Sequence, residues 1–225
     1  MPDVLTPPPH SDLVSEANHR VANSLALLSG LARLQARQAG QATRPFSNAE
    51  VRMMLEGFAA RISTIGQLHR MLAHVPPDGT IDLAAYLREL TAILVAAFSS
   101  GQQPVHIEHH GVDCRVLTQN VQPLTLAICE IITNALKYSH PAGVAVRLVI
   151  SCEGKGNGDL QVTVSDDGVG LPEDFDSAHG GGVGFQLIRS LTAEIGAKLD
   201  ISSDGLGATF RITVPNMLIS SARTA

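Results

Sequence analysis

The sequence predicts an α+β protein built from an antiparallel helical hairpin followed by an α/β sandwich domain. Up to residue 75, two long stretches carry apolar residues at helical spacing. Consecutive prolines at Pro76 and Pro77, followed by Gly79, then break the chain. Beyond them, helical stretches mix with runs that alternate apolar and polar residues, a pattern typical of half-buried strands. We therefore expect a domain boundary between residues 75 and 80.

The composition is that of a globular protein. The chain has 225 residues, of which 44% are hydrophobic and 16% are charged, and its formal net charge is −5. Because nucleic-acid binding depends on surplus positive charge, we expect no nucleic-acid partner. The apolar run at 92–98 is shorter than the roughly 20 residues that cross a bilayer, so we expect no membrane attachment. Three cysteines without CxxC spacing favour a reducing compartment, and we expect a cytoplasmic protein.

The helical hairpin is expected over residues 12–75, after a disordered leader at residues 1–11 that contains three consecutive prolines. Its first helix spans about residues 12–38, where the apolar side chains share one stripe. The loop at residues 39–47 contains a glycine and a proline, so the second helix folds back against the first.

The second helix carries a heptad pattern. Two helices bury a core poorly, so we expect two copies of the chain to form a homodimeric four-helix bundle. His69 belongs to this pattern, where a histidine that packs between helices is the simplest interpretation. The heptad positions, at steps that alternate between four and three, are Val51, Leu55, Phe58, Ile62, Ile65, His69 and Leu72.

The sandwich domain is expected over residues 80–215, with a fraying tail at 216–225. Its mixed pattern predicts helices packed on one face of a sheet. The predicted elements are, in order, a helix at 83–98, a strand at 105–109, a helix at 121–138, strands at 144–152 and 160–165, a glycine-rich loop, a helix at 185–195, and strands at 199–202 and 209–214.

His19 is a candidate nucleophile on the first helix. Glu16, Arg20 and Asn23 lie on the same polar side of the predicted helix, opposite the apolar stripe. An exposed imidazole is partly neutral at physiological pH, and Glu16, one turn earlier, can orient the ring or accept its proton. Taken alone, the same pattern also describes an ordinary solvated histidine.

Three polar residues interrupt an otherwise apolar helix in the second domain. Glu130, Asn134 and Lys137 recur at steps of four and three, so their side chains share one face. Such a face suits a nucleotide, because Asn134 offers an oxygen to Mg²⁺, Lys137 can meet a phosphate and Glu130 can hold a water or a proton. The alternative interpretation is a polar rim stabilised by side-chain pairs four residues apart.

Two glycine-bearing loops add further candidates. Asp166 ends an alternating strand, and Gly168 and Gly170 allow close backbone approach, so the carboxylate can accept a hydrogen bond from a donor such as an adenine amino group. Farther along, Gly182 and Gly184 lead into a predicted helix whose free amides favour phosphate. Each motif alone also fits a hairpin turn or a flexible loop.

Taken in order, these segments resemble the bacterial histidine kinases. His19 with Arg20 and Asn23 is similar to the phosphoacceptor box of the second HisKA subfamily, which is related to the HWE kinases. The resemblance covers about residues 13–215. Four later segments are similar to the ATP-binding boxes of the GHKL superfamily: residues 130–138, 166–170, 182–184 and 207–210.

The resemblance implies an ATP-dependent protein histidine kinase that phosphorylates itself at His19. The phosphoryl group would then pass to an aspartate on a response-regulator receiver domain, in a two-component pathway. Because only a short leader precedes His19, we expect either that a separate protein supplies the input signal or that this chain is a piece of a longer protein.

The same resemblance implies the roles of residues in a Bergerat-type ATP site. Asp166 would read adenine, Asn134 would hold Mg²⁺ with ATP, and the segment around Gly182 and Gly184 would form a mobile lid. The resemblance adds two residues to those expected beside the cofactor, Tyr138 and Thr209.

Two other functions compete with that of a histidine kinase. A histidine phosphotransfer adaptor would keep the dimeric bundle and use a degenerate ATP-like domain only for docking. The intact set Asn134, Asp166, Gly168 and Gly170 favours ATP binding instead. A serine kinase acting on an anti-sigma antagonist would share the ATP-binding fold, but it does not need a histidine-bearing hairpin.

A metal site is the remaining alternative for a histidine cluster. His106, His109, His110 and Cys114 are close in sequence, yet the strand pattern turns them to both faces and no paired ligand spacing occurs. We therefore expect no metal at these residues.

Overall fold

The structure is a computed structural model that describes residues 44–72, 79–98, 104–111, 114–118, 121–140, 144–176 and 180–218, together with part of the stretch from 22 to 41. The described residues between 22 and 40 are helical, as predicted for the first helix of the hairpin. The predictions for the leader, for His19 and Glu16, and for most of the boundary segment and the tail lie outside the described residues.

Helix α1 (Asn48–Leu72) is the second helix of the hairpin, and a capping box starts it. The Ser47 hydroxyl accepts a hydrogen bond from the Glu50 amide at 3.2 Å, and the Glu50 carboxylate accepts one from the Ser47 amide at 2.8 Å. Hydrogen bonds from Arg44, and then from Ser47, lower the pKa of Glu50 to about 2. These contacts fix the turn between the two helices.

Helix α1 presents two different faces. The heptad residues Val51, Leu55 and Ile62 are 42%, 64% and 49% exposed, so a single chain leaves this stripe uncovered. On the other side, Gly57, Ala60, Arg61 and Thr64 are buried. Their spacing of three and four places them on one helix face, which packs against the second domain. The heptad pattern therefore describes one face of α1, and a second packed face was not predicted. Ile65, a heptad residue, is buried in the core of the single chain.

The described residues of the second domain form three helices and seven strands. In chain order they are β1 (Thr80–Asp82), α2 (Leu83–Phe98), β2 (Val105–His110), β3 (Arg115–Leu117), α3 (Val121–Tyr138), β4 (Val146–Gly154), β5 (Leu160–Asp166), α4 (Val183–Glu194), β6 (Lys198–Asp204) and β7 (Gly207–Val214).

Five strands form one mixed sheet in the order β2-β4-β5-β7-β6. β2 runs parallel to β4, and the other neighbours are antiparallel. Along β4, the buried residues alternate with more exposed ones, as expected for a sheet with one covered face. The helices α2, α3 and α4 contact this sheet, and their apolar side chains form the core with it. The predicted α/β sandwich is confirmed.

The structure corrects several predicted boundaries. Helix α4 begins at Val183 instead of residue 185, because Gly182 has extended backbone angles and Val183 is already packed into the core. β4 begins two residues later than predicted, and most other strands extend one or two residues further along their partners. The strands β1 and β3, which pair antiparallel with each other, were not predicted.

The three cysteines are free and buried. None of the helices in the described part of the chain is long and apolar enough to cross a membrane.

Candidate functional site

A cavity of about 470 Å³ lies between α1 and the sandwich domain. Residues from the hairpin, including Met53, Gly57 and Arg61, form one wall. The other walls come from α3, from the loop after β5 and from the start of α4. Most of the cofactor-side residues predicted from the sequence line this cavity: Glu130, Asn134, Lys137, Tyr138, Asp166, Gly170, Gly182 and Gly184.

Glu130 forms an ion pair that the sequence did not predict. Both carboxylate oxygens accept hydrogen bonds from Arg61, one from Nε and the other from Nη2 at 2.8 Å. Glu130 is 2% exposed and Arg61 is 6% exposed, so the pair is buried. Its carboxylate is thus engaged by the hairpin, and in this arrangement it is not free to hold a water or a proton.

Further contacts join the same two helices. The Thr64 hydroxyl lies 3.2 Å from the thiol of Cys129, the residue that precedes Glu130. The ammonium group of Lys137 donates a hydrogen bond to the Met53 carbonyl at 2.9 Å. The polar face of α3 therefore meets the hairpin along about two turns.

Lys137 lies close to a second cation, Arg61. Burial lowers the pKa of Lys137, and the positive charge of Arg61 lowers it further. Both side chains approach Gly57: a Cβ atom at that position would lie 2.9 Å from Lys137 Nζ and 4.0 Å from Arg61 Nη1. Arg61 and Lys137 thus place two cations beside the buried carboxylate of Glu130, an arrangement that favours an anion.

Asp166 is held at the end of β5. Its Oδ1 atom accepts a hydrogen bond from the Gly168 amide at 2.9 Å. Burial raises the pKa of Asp166, and hydrogen bonds from the backbone of Gly168 and Ala208 oppose this shift. A half-buried carboxylate with a fixed orientation can accept a hydrogen bond from a ligand donor, as the sequence predicts for an adenine amino group.

The glycines after Asp166 serve packing as well as the site. Gly168 does not line the cavity, and a Cβ atom there would lie 2.4 Å from the Cβ of Ser139. Gly170 lines the cavity and has a φ of 72°, which favours glycine. Thr209 also lies off the cavity, because its hydroxyl pairs with Ser165 at 2.9 Å while the alternate residues of β7, Ala208 and Phe210, line the wall.

The start of α4 meets the polar face of α3. Gly182 is the N-terminal cap and makes no side-chain capping bond, so the first amides of this 12-residue helix remain available. A Cβ atom at Gly184 would lie 3.3 Å from Glu130 Oε2 and 3.4 Å from the side-chain amide of Asn134. Phe185 stacks between Phe175 and Phe210, with ring centroids 4.8 and 5.8 Å apart, and this contact anchors the segment.

Tyr138 lies at the edge of the cavity and is 62% exposed. His109 lies away from the cavity, near Ala84 and Leu87 in the first half of α2, and burial lowers its pKa. Within the described ranges, no group of three or more His, Cys, Asp or Glu side chains could hold a metal ion.

The residues around the cavity fit a nucleotide. Arg61 Nη1 and Ser139 Oγ are buried beside the cavity and have no hydrogen-bond partner among the described residues. Buried polar atoms are normally paired, so these two groups indicate a polar ligand. The cations Arg61 and Lys137 suit the phosphates of ATP, and the carboxylate of Asp166 suits its base.

Comparison with protein families agrees with this assignment. A family described as histidine kinase-, DNA gyrase B- and HSP90-like ATPase matches residues 119–217, so the sandwich is an ATPase domain of this class, which implies ATP binding. A second family, the HisKA_2 histidine kinases, matches residues 16–98. The two matches, in this order along the chain, confirm the resemblance to the HisKA_2 histidine kinases that was found in the sequence.

Two individual relatives are named as histidine kinases. Blue-light-activated histidine kinase 2 of Erythrobacter litoralis is 28% identical over 219 residues, which are 94% of this chain and 60% of that protein. Sensor histidine kinase PdtaS of Mycobacterium tuberculosis is 30% identical over 207 residues, 89% of this chain and 39% of that protein. The chain thus spans less than two thirds of either relative.

A solved structure shares the fold. The histidine kinase domain of a blue-light-activated histidine kinase from Erythrobacter litoralis superposes with a TM-score of 0.68 at 24% identity. The match covers 91% of this chain and 95% of that one, so the two chains share a fold.

Proposed function

We propose that this chain is a protein histidine kinase that transfers the γ-phosphoryl group of ATP to His19 and then to an aspartate of a receiver domain. The observation that carries the proposal is the shared cavity, which joins Asp166, Asn134 and Lys137 in one site. The two matched families, in this order along the chain, support the same reaction.

The residues of the sandwich bind and orient the nucleotide. The Asp166 carboxylate accepts a hydrogen bond from the adenine amino group, and its orientation is fixed by the Gly168 amide. The side-chain oxygen of Asn134 is a suitable ligand for Mg²⁺, which would neutralise charge on the phosphates. Lys137 and the free amides at the start of α4 face the phosphates.

The phosphoryl transfer itself takes place at His19. A neutral imidazole nitrogen attacks the γ-phosphorus, the bond from that phosphorus to the bridging oxygen breaks, and ADP leaves. Glu16 orients the imidazole or accepts its proton. Catalysis comes from positioning and charge neutralisation, because the protein forms no other covalent bond in this step.

The phosphohistidine then donates its phosphoryl group to an aspartate carboxylate on a separate receiver protein. The boundary segment with Pro76 and Gly79 would allow the ATPase domain to approach His19 and withdraw again. The uncovered stripe of Val51, Leu55 and Ile62 supports a homodimer. An adaptor that does not bind ATP is not favoured, because such a protein has no need for an intact nucleotide site.

The proposal is tested with ATP labelled in two positions. γ-Labelled ATP with Mg²⁺ is expected to label the wild-type chain and not the His19→Gln variant, whereas α-labelled ATP should label neither. Calorimetry should find the same nucleotide affinity in both proteins. Label retained by His19→Gln, or label from the α position, would contradict a transfer of the γ-phosphoryl group to His19.

A further inference from the structure

Arg61 has an unused hydrogen-bond donor at the nucleotide cavity. Its Nε and Nη2 atoms donate to Glu130, but Nη1 is buried and has no partner among the described residues. Arg61 is 6% exposed, so Nη1 is shielded from bulk solvent. A buried donor without an acceptor is unfavourable, and the site is therefore complete only when something else supplies one.

The charge around Nη1 indicates that the missing acceptor is an anion. Arg61 and Lys137 both approach Gly57, and the buried carboxylate of Glu130 pairs with Arg61. The negative charge of Glu56 also acts on Lys137, but Glu56 pairs with Arg52 and its side chain is 46% exposed. The other carboxylates on the cavity wall are engaged elsewhere: Glu50 pairs with Arg44, and Asp166 accepts the Gly168 amide. Burial and the charge of Arg61 lower the pKa of Lys137, which reflects how close the two cations lie.

The surroundings favour the phosphates of a nucleotide over another anion. The open amides of α4 begin at Gly182, and Gly184 lies against Asn134 on the same cavity. Groups suited to phosphate thus approach from three elements, α1, α3 and α4. A guanidinium can bind one carboxylate along one edge and still donate from its remaining nitrogen to a phosphate oxygen.

We propose that Arg61 is a phosphate ligand supplied by the hairpin, so that the nucleotide site of the ATPase domain is completed by helix α1. Glu130 is then a positioning residue that holds the guanidinium in place. This inference rests on the proposed function, because it requires that ATP binds in this cavity. It also implies that bound ATP ties the hairpin to the ATPase domain.

Calorimetry on the full chain tests the inference with two ligands, Mg·ATP and adenosine, because only ATP carries phosphates. The variants are Arg61→Met, Arg61→Lys and the control Arg52→Met, whose arginine lies on the same helix and is 75% exposed. Arg61→Met should bind ATP at least tenfold more weakly and adenosine with unchanged affinity. Arg61→Lys should lose ATP affinity to a smaller extent, since a single ammonium group cannot serve Glu130 and a phosphate equally well. Arg52→Met should bind both ligands like the wild type.

The outcomes separate this inference from the proposed function. If the wild type binds no ATP, the proposed function fails. If the wild type binds ATP and Arg61→Met binds it equally well or more tightly, Arg61 serves only as a contact between the two domains, and the inference is wrong. An equal loss of ATP and adenosine would assign Arg61 a structural role and would likewise overturn it. If Arg61→Met does not fold, the selective loss of ATP affinity in Arg61→Lys decides.

Discussion

The guanidinium of Arg61 on α1 and the carboxylate of Glu130 on α3 form a buried bidentate ion pair between residues 69 positions apart in the sequence. The pair joins the helix that follows the phosphoacceptor segment to the helix that carries the nucleotide-facing side chains. If ATP binds in the cavity as proposed, stability and nucleotide binding depend on the same contact.

Replacing Arg61 with alanine is expected to destabilise the chain by about 3 kcal/mol or more, because it leaves the buried Glu130 carboxylate without a partner. Urea unfolding measures the loss. The double variant Arg61→Met with Glu130→Met should recover most of it, since apolar side chains of similar size fill the same space. If Arg61→Ala unfolds with the same free energy as the wild type, the ion pair is not buried in solution.

Asp166→Asn is expected to weaken ATP binding about tenfold or more, because the adenine amino group loses a charged acceptor. Folding raises the pKa of Asp166, mainly through burial. The contribution of this group to stability is therefore present at low pH and is lost as the pH rises through the folded-state pKa. The neutral asparagine avoids that loss, so thermal unfolding at pH 7 should show a variant at least as stable as the wild type.

The wild-type affinity for ATP should also depend on pH. Protonation makes the Asp166 carboxyl a weaker acceptor, so affinity is expected to fall as the pH drops through its raised pKa. Titrations of ATP at several pH values check this, with Asp166→Asn as the reference for other titrating groups. If the affinity of the wild type changes with pH in the same way as that of the variant, Asp166 does not recognise the base.

Gly184→Ala is expected to lower the affinity for Mg·ATP about tenfold while unfolding stability is unchanged or rises by up to ~1 kcal/mol. Alanine suits the start of α4, but its Cβ would lie 3.3 Å from Glu130 Oε2 and would push the Asn134 amide aside. The matched control is Gly205→Ala, which has no atom within 4 Å of the added Cβ. If Gly184→Ala binds Mg·ATP as tightly as the wild type, the affinity does not depend on the position of Asn134.

Leu55→Glu together with Ile62→Glu is expected to convert a dimer into a monomer, because both side chains lie on the uncovered stripe of α1. Light scattering of the purified chain measures the mass. Ser63→Glu, at an exposed position next to the stripe, serves as the control. A monomeric wild type, or a dimer that survives both charges, would contradict pairing through this stripe.

The elements that could be predicted are those with a long local pattern. The helices at Leu83–Phe98 and Val121–Tyr138 have the predicted ends, since their apolar residues recur over several turns. The strands Thr80–Asp82 and Arg115–Leu117 were missed because each has three residues and is defined by pairing with the other. A pattern of three residues is too short to distinguish a strand from a loop.

The residues of the candidate site also differ in whether a local sequence pattern reveals them. Glu130, Asn134 and Lys137 were placed on one face correctly, because helical spacing alone decides it. Arg61 was missed, since its partner belongs to another domain and no local spacing connects them. The signal that was available is the stripe of small and polar residues three or four apart on α1, which indicates a second packed face: Gly57, Ala60, Arg61 and Thr64.

The most direct test of the account is the chemical stability of the phosphoryl group on the protein. After incubation with γ-labelled ATP and Mg²⁺, the label on the wild-type chain should be lost in acid, survive alkali, and be absent from His19→Gln. That result would identify a phosphohistidine at the predicted position. Label that survives acid, or that persists in His19→Gln, would contradict the account, because the phosphoryl group would then be on another kind of side chain or on another residue.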